Sequence, residues 1–149
     1  MRPLSKIIAF AGFGIFVEVV FRAFTNTLEA LYFEQAIDYT FRTKIYFWMI
    51  PIYGLSYFLL NASYNKLSQL PLLLQLFAIT ASIFVIEYAT GFALQQIIGK
   101  CPWHYKIGYH LHGLIRLDYA PAWMLFAYLL LAFYKWVNAI KFVEENAIV

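Results

Sequence analysis

One carboxylate sits where the rest of its segment is apolar. Glu87 lies within SIFVIEYATGF, residues 82–92, and between Leu70 and Ile98 no other side chain is formally charged. An ionised carboxylate at mid-bilayer costs about 2.5–3.5 kcal/mol on insertion scales. It must therefore face protein or water, meet a cation, or hold a proton. On a helix Glu87 shares a face with Thr80, Thr90, Gly91 and Leu94, which predicts a face turned inward and not toward lipid. Two readings follow for Glu87: a structural hydrogen bond to a tyrosine, tryptophan or loop amide, or a site for a cation, proton or polar headgroup. A second carboxylate, Glu18, shares its face with Ala11, Gly14, Arg22 and Thr25. Arg22 stands four residues on, at the spacing of an ion pair along one helix, and that pair is the structural reading of Glu18.

The other side chains capable of chemistry lie in GKCPWHYKIGYHLHGLIRL, residues 99–117. His104, His110 and His112 are weak metal candidates; HLH would place two imidazoles on one side of a strand, with Asp118 six residues later. Short spacing alone makes that a poor metal signature, and packing or headgroup contact by amphipathic rings is the plainer reading. Trp103, Tyr105 and Tyr109 suit the headgroup belt. Arg116 and Asp118 flank the following apolar segment, as an anchor or as a cover over the glutamates. Cys101, before Pro102, reads as packed. No Ser-His-Asp order, nucleotide loop or haem motif occurs, and no cofactor is implied. The candidate binding residues are thus Glu87, Glu18, Arg22, Thr90, Asp118, Arg116, Trp103 and Tyr105.

The elements that position these groups follow from composition. Of 149 residues, 63% are hydrophobic, 21% aromatic and 13% charged, against roughly 45–50% apolar and about 25% charged in soluble domains. The expected partner is the lipid bilayer. The net charge of +3 is spread along the chain, with no basic cluster fit for nucleic acid. A single cysteine excludes an internal disulfide. The start, MRPLSKIIAFAGFGIFVEVVF, has a signal-like basic beginning without a small-residue cleavage site, and reads as a retained span.

Four apolar stretches stand out: Lys6–Phe24, Ile45–Tyr64, Pro71–Ile98 and Tyr119–Val137. Each is near the ~20 residues a helix needs to cross the hydrocarbon. Pro51 and Pro121 fall near the starts of their segments, where a missing amide hydrogen is tolerated. Asn65–Leu70 reads as a tight hairpin loop. Residues 25–44 are too polar to span; Leu28, Leu31, Tyr32 and Tyr39 alternate with Glu29, Glu34, Asp38 and Arg42, as in a helix that prolongs the first segment or lies at the interface. Residues 138–149 form a short tail. With four spans, five basic residues fall on one side and six on the other, so the positive-inside rule gives no orientation.

The segments also pair. IFVEVVFRAF resembles IFVIEYATGF, with Glu18 and Glu87 69 positions apart, and IPIYGLSYFLL resembles APAWMLFAYLL, with Pro51 and Pro121 70 apart. In the second pair an aromatic, Tyr53 or Trp123, follows proline by two residues. This predicts a duplicated two-helix unit, repeats 6–64 and 71–137, related by an axis along the membrane normal. The two glutamates would then face each other at matching depth.

The stretch EYATGFALQQIIGKCPWHYKIGYHLHGLIRLDYAPAW, residues 87–123, resembles the transmembrane protein 229 family and the bacterial proteins described as putative type IV ABC-transporter permeases. The matching residues are Glu87, Thr90, Gly91, Cys101, Pro102, Trp103, Tyr105, Gly113, Leu114, Ile115, Leu117, Asp118, Tyr119 and Trp123. VEVVF around Glu18 and Tyr53–Gly54 also fit. The family's D-Y-S is His104-Tyr105-Lys106 here, so an acidic loop has become basic. The resemblance implies a four-span membrane protein.

The expectation is an all-α integral membrane protein, a single multi-pass domain of four transmembrane helices in two parallel hairpin repeats, with an interfacial loop at 99–117. The expected function is transport-associated handling of an ion or small solute through an intramembrane carboxylate, as a homodimer or part of a larger membrane complex. The alternatives are a structural or lipid-contacting accessory subunit and an intramembrane enzyme acting on lipid, the last requiring an imidazole beside a glutamate.

Overall fold

The computed structural model describes residues 3–32, 45–101, 103–106 and 108–139. Four helices account for most of them: α1 (Pro3–Tyr32), α2 (Met49–Leu67), α3 (Leu72–Ile98) and α4 (Ala120–Ala139). Between α3 and α4 lie a two-residue strand pair, β1 (His110–Leu111) and β2 (Ile115–Arg116), and a 3-10 turn, Leu117–Tyr119. The strands are antiparallel, with His110 opposite Arg116 and Leu111 opposite Ile115.

The prolines set the helix starts. Pro3 opens α1, Pro51 lies in the first turn of α2 and Pro121 in the first turn of α4, where no amide hydrogen is needed. Pro71, with φ −53° and ψ 145°, directly precedes α3. The segment beginning at Ile45 therefore turns helical only at Met49: the amides of Met49 and Ile50 donate to Tyr46 O and Phe47 O in a turn ahead of Pro51. In the other direction α1 runs past Phe24 to Tyr32. The hydroxyls of Thr25 and Thr27 bond back to Arg22 O at 3.0 Å and Ala23 O at 2.8 Å, satisfying the polar groups inside the helix. Residues 25–32 are thus a prolongation of the first segment, while 33–44, with Tyr39, Glu34, Asp38 and Arg42, lie outside the described residues, as does most of the tail. The loop expected at Asn65–Leu70 is shorter, because α2 persists to Leu67.

Among the described residues, three helices are long and apolar enough to cross a membrane: Pro3–Thr27, Leu72–Ile98 and Leu117–Ala139. Large apolar side chains point outward from them, with Phe16 65%, Val85 67% and Ile97 78% exposed, as lipid-facing surface requires. The 19-residue α2 is not among the three; Asn61, Ser63, Asn65 and Lys66 crowd its second half.

The chain divides into two compact units. In the first, Met1–Ala62 with Trp136–Val149, α1 meets α2 through small residues. A Cβ on Gly14 would lie 2.3 Å from Tyr53 Cγ, and one on Gly54 would lie 2.9 Å from Ile7 Cγ2. Such close approach is the usual device for packing helices without a hydrophobic driving force. The wholly buried Phe10 meets Tyr57 edge-on, with centroids 5.4 Å apart. Lys6 Nζ donates to Asn138 Oδ1 at 2.5 Å and lies 5.4 Å from the centre of the Tyr57 ring. In the second unit, Ser63–Lys135, the chain after α3 folds back over Gly91. Leu114 Cδ2, Cys101 Sγ and Trp103 Cζ2 occupy the space a side chain there would fill. Tyr64 and Tyr134 rings meet at 4.9 Å.

Candidate functional site

Glu87 is 9% exposed and lies on the buried stripe of α3 with Gln75, Ile79, Thr80 and Gly91. The inward face expected from Thr80 and Gly91 is the one observed. Tyr105 Oη donates to Glu87 Oε1 at 2.9 Å. A hydroxyl given to a carboxylate is among the stronger protein hydrogen bonds, and it ties the 99–117 segment onto α3.

That segment is built to hold Tyr105 in place. The Tyr105 amide donates to Gly113 O at 2.9 Å. Gly113 has φ +71°, and a Cβ there would overlap the His104 ring, 2.3 Å from Cε1. Trp103 Nε1 donates to Leu114 O at 3.1 Å, and the indole is buried against Gly91. Trp103 is thus a packing residue of the cap and not part of a headgroup belt: a helix glycine gives its ring a place inside. Tyr109, 81% exposed, does face outward.

Beyond Tyr105 the polar groups continue. Its ring meets the Tyr119 ring edge-on at 6.1 Å. Arg116 Nη1 donates to Tyr119 Oη at 2.9 Å, and the guanidinium lies 4.1 Å from the Tyr119 ring centre. On its other edge Arg116 donates through Nε and Nη2 to Asp118, at 2.8–3.0 Å. Hydrogen bonding to Asp118 pushes the guanidinium further up, so the cation is permanent. A buried carboxylate, two tyrosines and a surface ion pair thus form one connected series. Cys101 is half-buried in the same cap; burial pushes its thiol up, the Trp103 amide opposes this, and the Glu87 charge adds to it.

The remaining candidates separate from this series. Thr90 turns its hydroxyl back to Ile86 O at 2.6 Å, so it shares the helix with Glu87 without serving the carboxylate. The three histidines have local roles. Gly113 N donates to His110 Nδ1 at 3.2 Å, His112 Nδ1 and Tyr88 Oη lie 2.9 Å apart, and His104 covers Gly113. HLH is not a strand throughout: the strand ends at Leu111, and His112 takes φ +51° in the turn, so the two imidazoles do not share a strand face. Among the described residues no three His, Cys, Asp or Glu side chains are placed to hold a metal ion.

Glu18 belongs to the first unit and is doubly held. Arg22 binds Oε1 through Nε at 2.9 Å and Nη2 at 2.8 Å, and Tyr53 Oη donates to Oε2 at 3.0 Å. Tyr53, from α2, can reach because its ring lies where a Gly14 side chain would be. Sequence reasoning missed Tyr53 and Tyr119 as partners. The readable signals were Gly14 one turn before Glu18, and Tyr119 one residue after Asp118.

No solved structure matches the chain. A family described as Putative ABC-transporter type IV matches residues 6–148, nearly the whole chain. Together with its apolar helices, this fits a transport-associated, multi-pass membrane protein, and the chain belongs to the Putative ABC-transporter type IV family.

Proposed function

We propose that the protein handles a proton or small cation through Glu87, with Tyr105 as the group that covers and orients the carboxylate. The observation that carries this reading is a carboxylate buried inside an otherwise uncharged membrane helix: Glu87 is 9% exposed on the inward face of α3 and accepts the Tyr105 hydroxyl from the cap at 2.9 Å. An ionisable group at that place in a span marks a functional site.

In this reading α2 completes four spans, and the chain is two parallel hairpins, 6–64 and 71–137. The two compact units divide at Ala62 and Ser63, close to that boundary. Assembly into a homodimer or larger membrane complex belongs to the same proposal. A second reading is favoured for Glu18 alone: its saturated contacts suit a structural role, as in an accessory subunit. The intramembrane-enzyme reading gains nothing, because His104, His110 and His112 are each engaged within the cap.

The test is ion flux into proteoliposomes. Glu87→Gln should abolish flux with the folded yield intact, and Tyr105→Phe should reduce it. Undiminished flux in Glu87→Gln would end the proposal.

A further inference from the structure

The buried face of α3 carries polar groups beyond Glu87. Hydroxyls inside a membrane helix ordinarily satisfy themselves on the preceding turn. Ser82 does so at Ala78 O, 2.8 Å, and Thr90 at Ile86 O, 2.6 Å. Thr80, on the same helix and 4% exposed, does not: its Oγ1 is buried with no hydrogen-bond partner among the described residues. Gln75, 8% exposed, spends its amide nitrogen on Leu70 O at 2.7 Å and leaves Oε1 buried without a hydrogen-bond partner. A buried polar group left without a partner is costly, and more so where the surroundings are lipid. Two in one helix, away from its lipid-facing side, imply something that hydrogen-bonds to them.

Their placement says what. Thr80 and Glu87 are seven residues apart, so they lie within about 20° of each other around the helix and about 10.5 Å apart along it. Gln75 is about 7.5 Å further along the axis, in the first turn, and about 140° around the helix from Thr80, at the other edge of the buried arc. These gaps are too long for any two of the groups to ligate one dehydrated cation. The Thr80–Glu87 gap matches a chain of about three hydrogen-bonded waters at roughly 2.8 Å per step, and the path on to Gln75, which also crosses the buried arc, takes a longer one. A hydroxyl and an amide oxygen, each two-sided or accepting, suit water and the protons it carries.

We propose that Thr80 and Gln75 line a file of water that brings protons to Glu87 from the α2–α3 turn. This rests on the reading of Glu87 as a proton or cation site, and supplies that site with its ion and its route. The file reaches the carboxylate from the opposite end to the cap, so Glu87 has the Tyr105 series on one side and the water file on the other.

The experiment uses the full chain in liposomes on a Cys101→Ser background, with single cysteines at Thr80 and at the lipid-facing Val85. Silver ion, small and confined to water, is the probe; blocking is read as lost maleimide labelling after denaturation. Thr80→Cys should be blocked at least about tenfold faster than Val85→Cys. Gln75→Cys against Leu74→Cys gives the same comparison at the mouth, and decides the matter should Thr80→Cys lower the folded yield. In the native background Thr80→Val should cut proton flux, read with an entrapped pH dye, by about tenfold, and Thr80→Ser should restore it. Equal blocking at buried and lipid-facing positions overturns the file. So does flux of alkali cations without protons. Rapid blocking at Thr80 with undiminished flux in Glu87→Gln would sustain the file and remove the Glu87 reading alone.

Discussion

Replacing Gly113 with alanine should release the cap from α3, and the structure sets the size of the effect. Gly113 sits at φ +71°, a left-handed conformation that costs a residue with a Cβ about 1–2 kcal/mol. The new methyl would also lie 2.3 Å from His104 Cε1 and 2.6 Å from Nδ1. His104 is exposed, so its ring can swing aside at little further cost. The same residue accepts the Tyr105 amide through its carbonyl, at 2.9 Å, so the strain falls on the bond that positions Tyr105 over Glu87. A destabilisation of about 1–2 kcal/mol confined to the cap raises its open population about 5–30-fold. Amide exchange at Tyr105 reads that population directly. Gly99→Ala is the control: its φ of +75° imposes the same backbone cost, but nothing lies within 4 Å of the added methyl, and it sits at the end of α3 away from the Tyr105 bond. We expect exchange at Tyr105 to quicken 5–30-fold in Gly113→Ala and to change little in Gly99→Ala, by these same magnitudes. Equal exchange in both variants and the native protein would mean that Gly113 does not hold Tyr105 over Glu87.

Further outcomes follow from the same contacts. Gly14→Ala would drive a methyl into Tyr53, 2.3 Å from Cγ, and should lower stability in detergent by about 1–3 kcal/mol as overpacking does. A double-mutant cycle with Tyr53→Phe should be strongly non-additive, because both changes remove the Tyr53–Glu18 bond; additivity would mean the bond is not made. Burial raises the Cys101 thiol, so its thiolate fills at higher pH than that of an exposed cysteine. Maleimide labelling of the native protein at pH 8 should therefore be slower than for a free thiol and climb as pH rises; labelling as fast as a free thiol's would contradict a packed Cys101. Arg116→Lys should slow transport only modestly while loosening the Tyr119 contact, since lysine cannot form the guanidinium fork to Asp118 and Tyr119; thermal stability compared with Asp118→Asn checks this.

Much of the fold was legible because lipid imposes simple rules. Apolar runs of the right length, with Pro51 and Pro121 near their starts, mark helices. Glu87 was legible as inward-facing because Thr80 and Gly91 recur on its face. What was not legible depends on contacts distant in sequence. Tyr105 reaches Glu87 across 18 positions and Tyr53 reaches Glu18 across 35. Both depend on glycines whose importance lies in what fills their missing side chains. Tyr109, which faces outward, and the buried Trp103 are both amphipathic aromatics of one loop, and only Gly91 opposite the indole separates them. His112 looked like a strand residue because its φ is set by the turn to Gly113 and not by its own type.

Glu87 and Glu18 would do different work in this protein, and one paired measurement distinguishes them. Proton uptake and thermal stability should be read side by side on Glu87→Gln and Glu18→Gln in the same vesicles. Glu87→Gln should lose uptake and keep its stability, while Glu18→Gln should keep uptake and melt earlier. The reverse assignment, or equal behaviour of the two variants, would contradict this division of work.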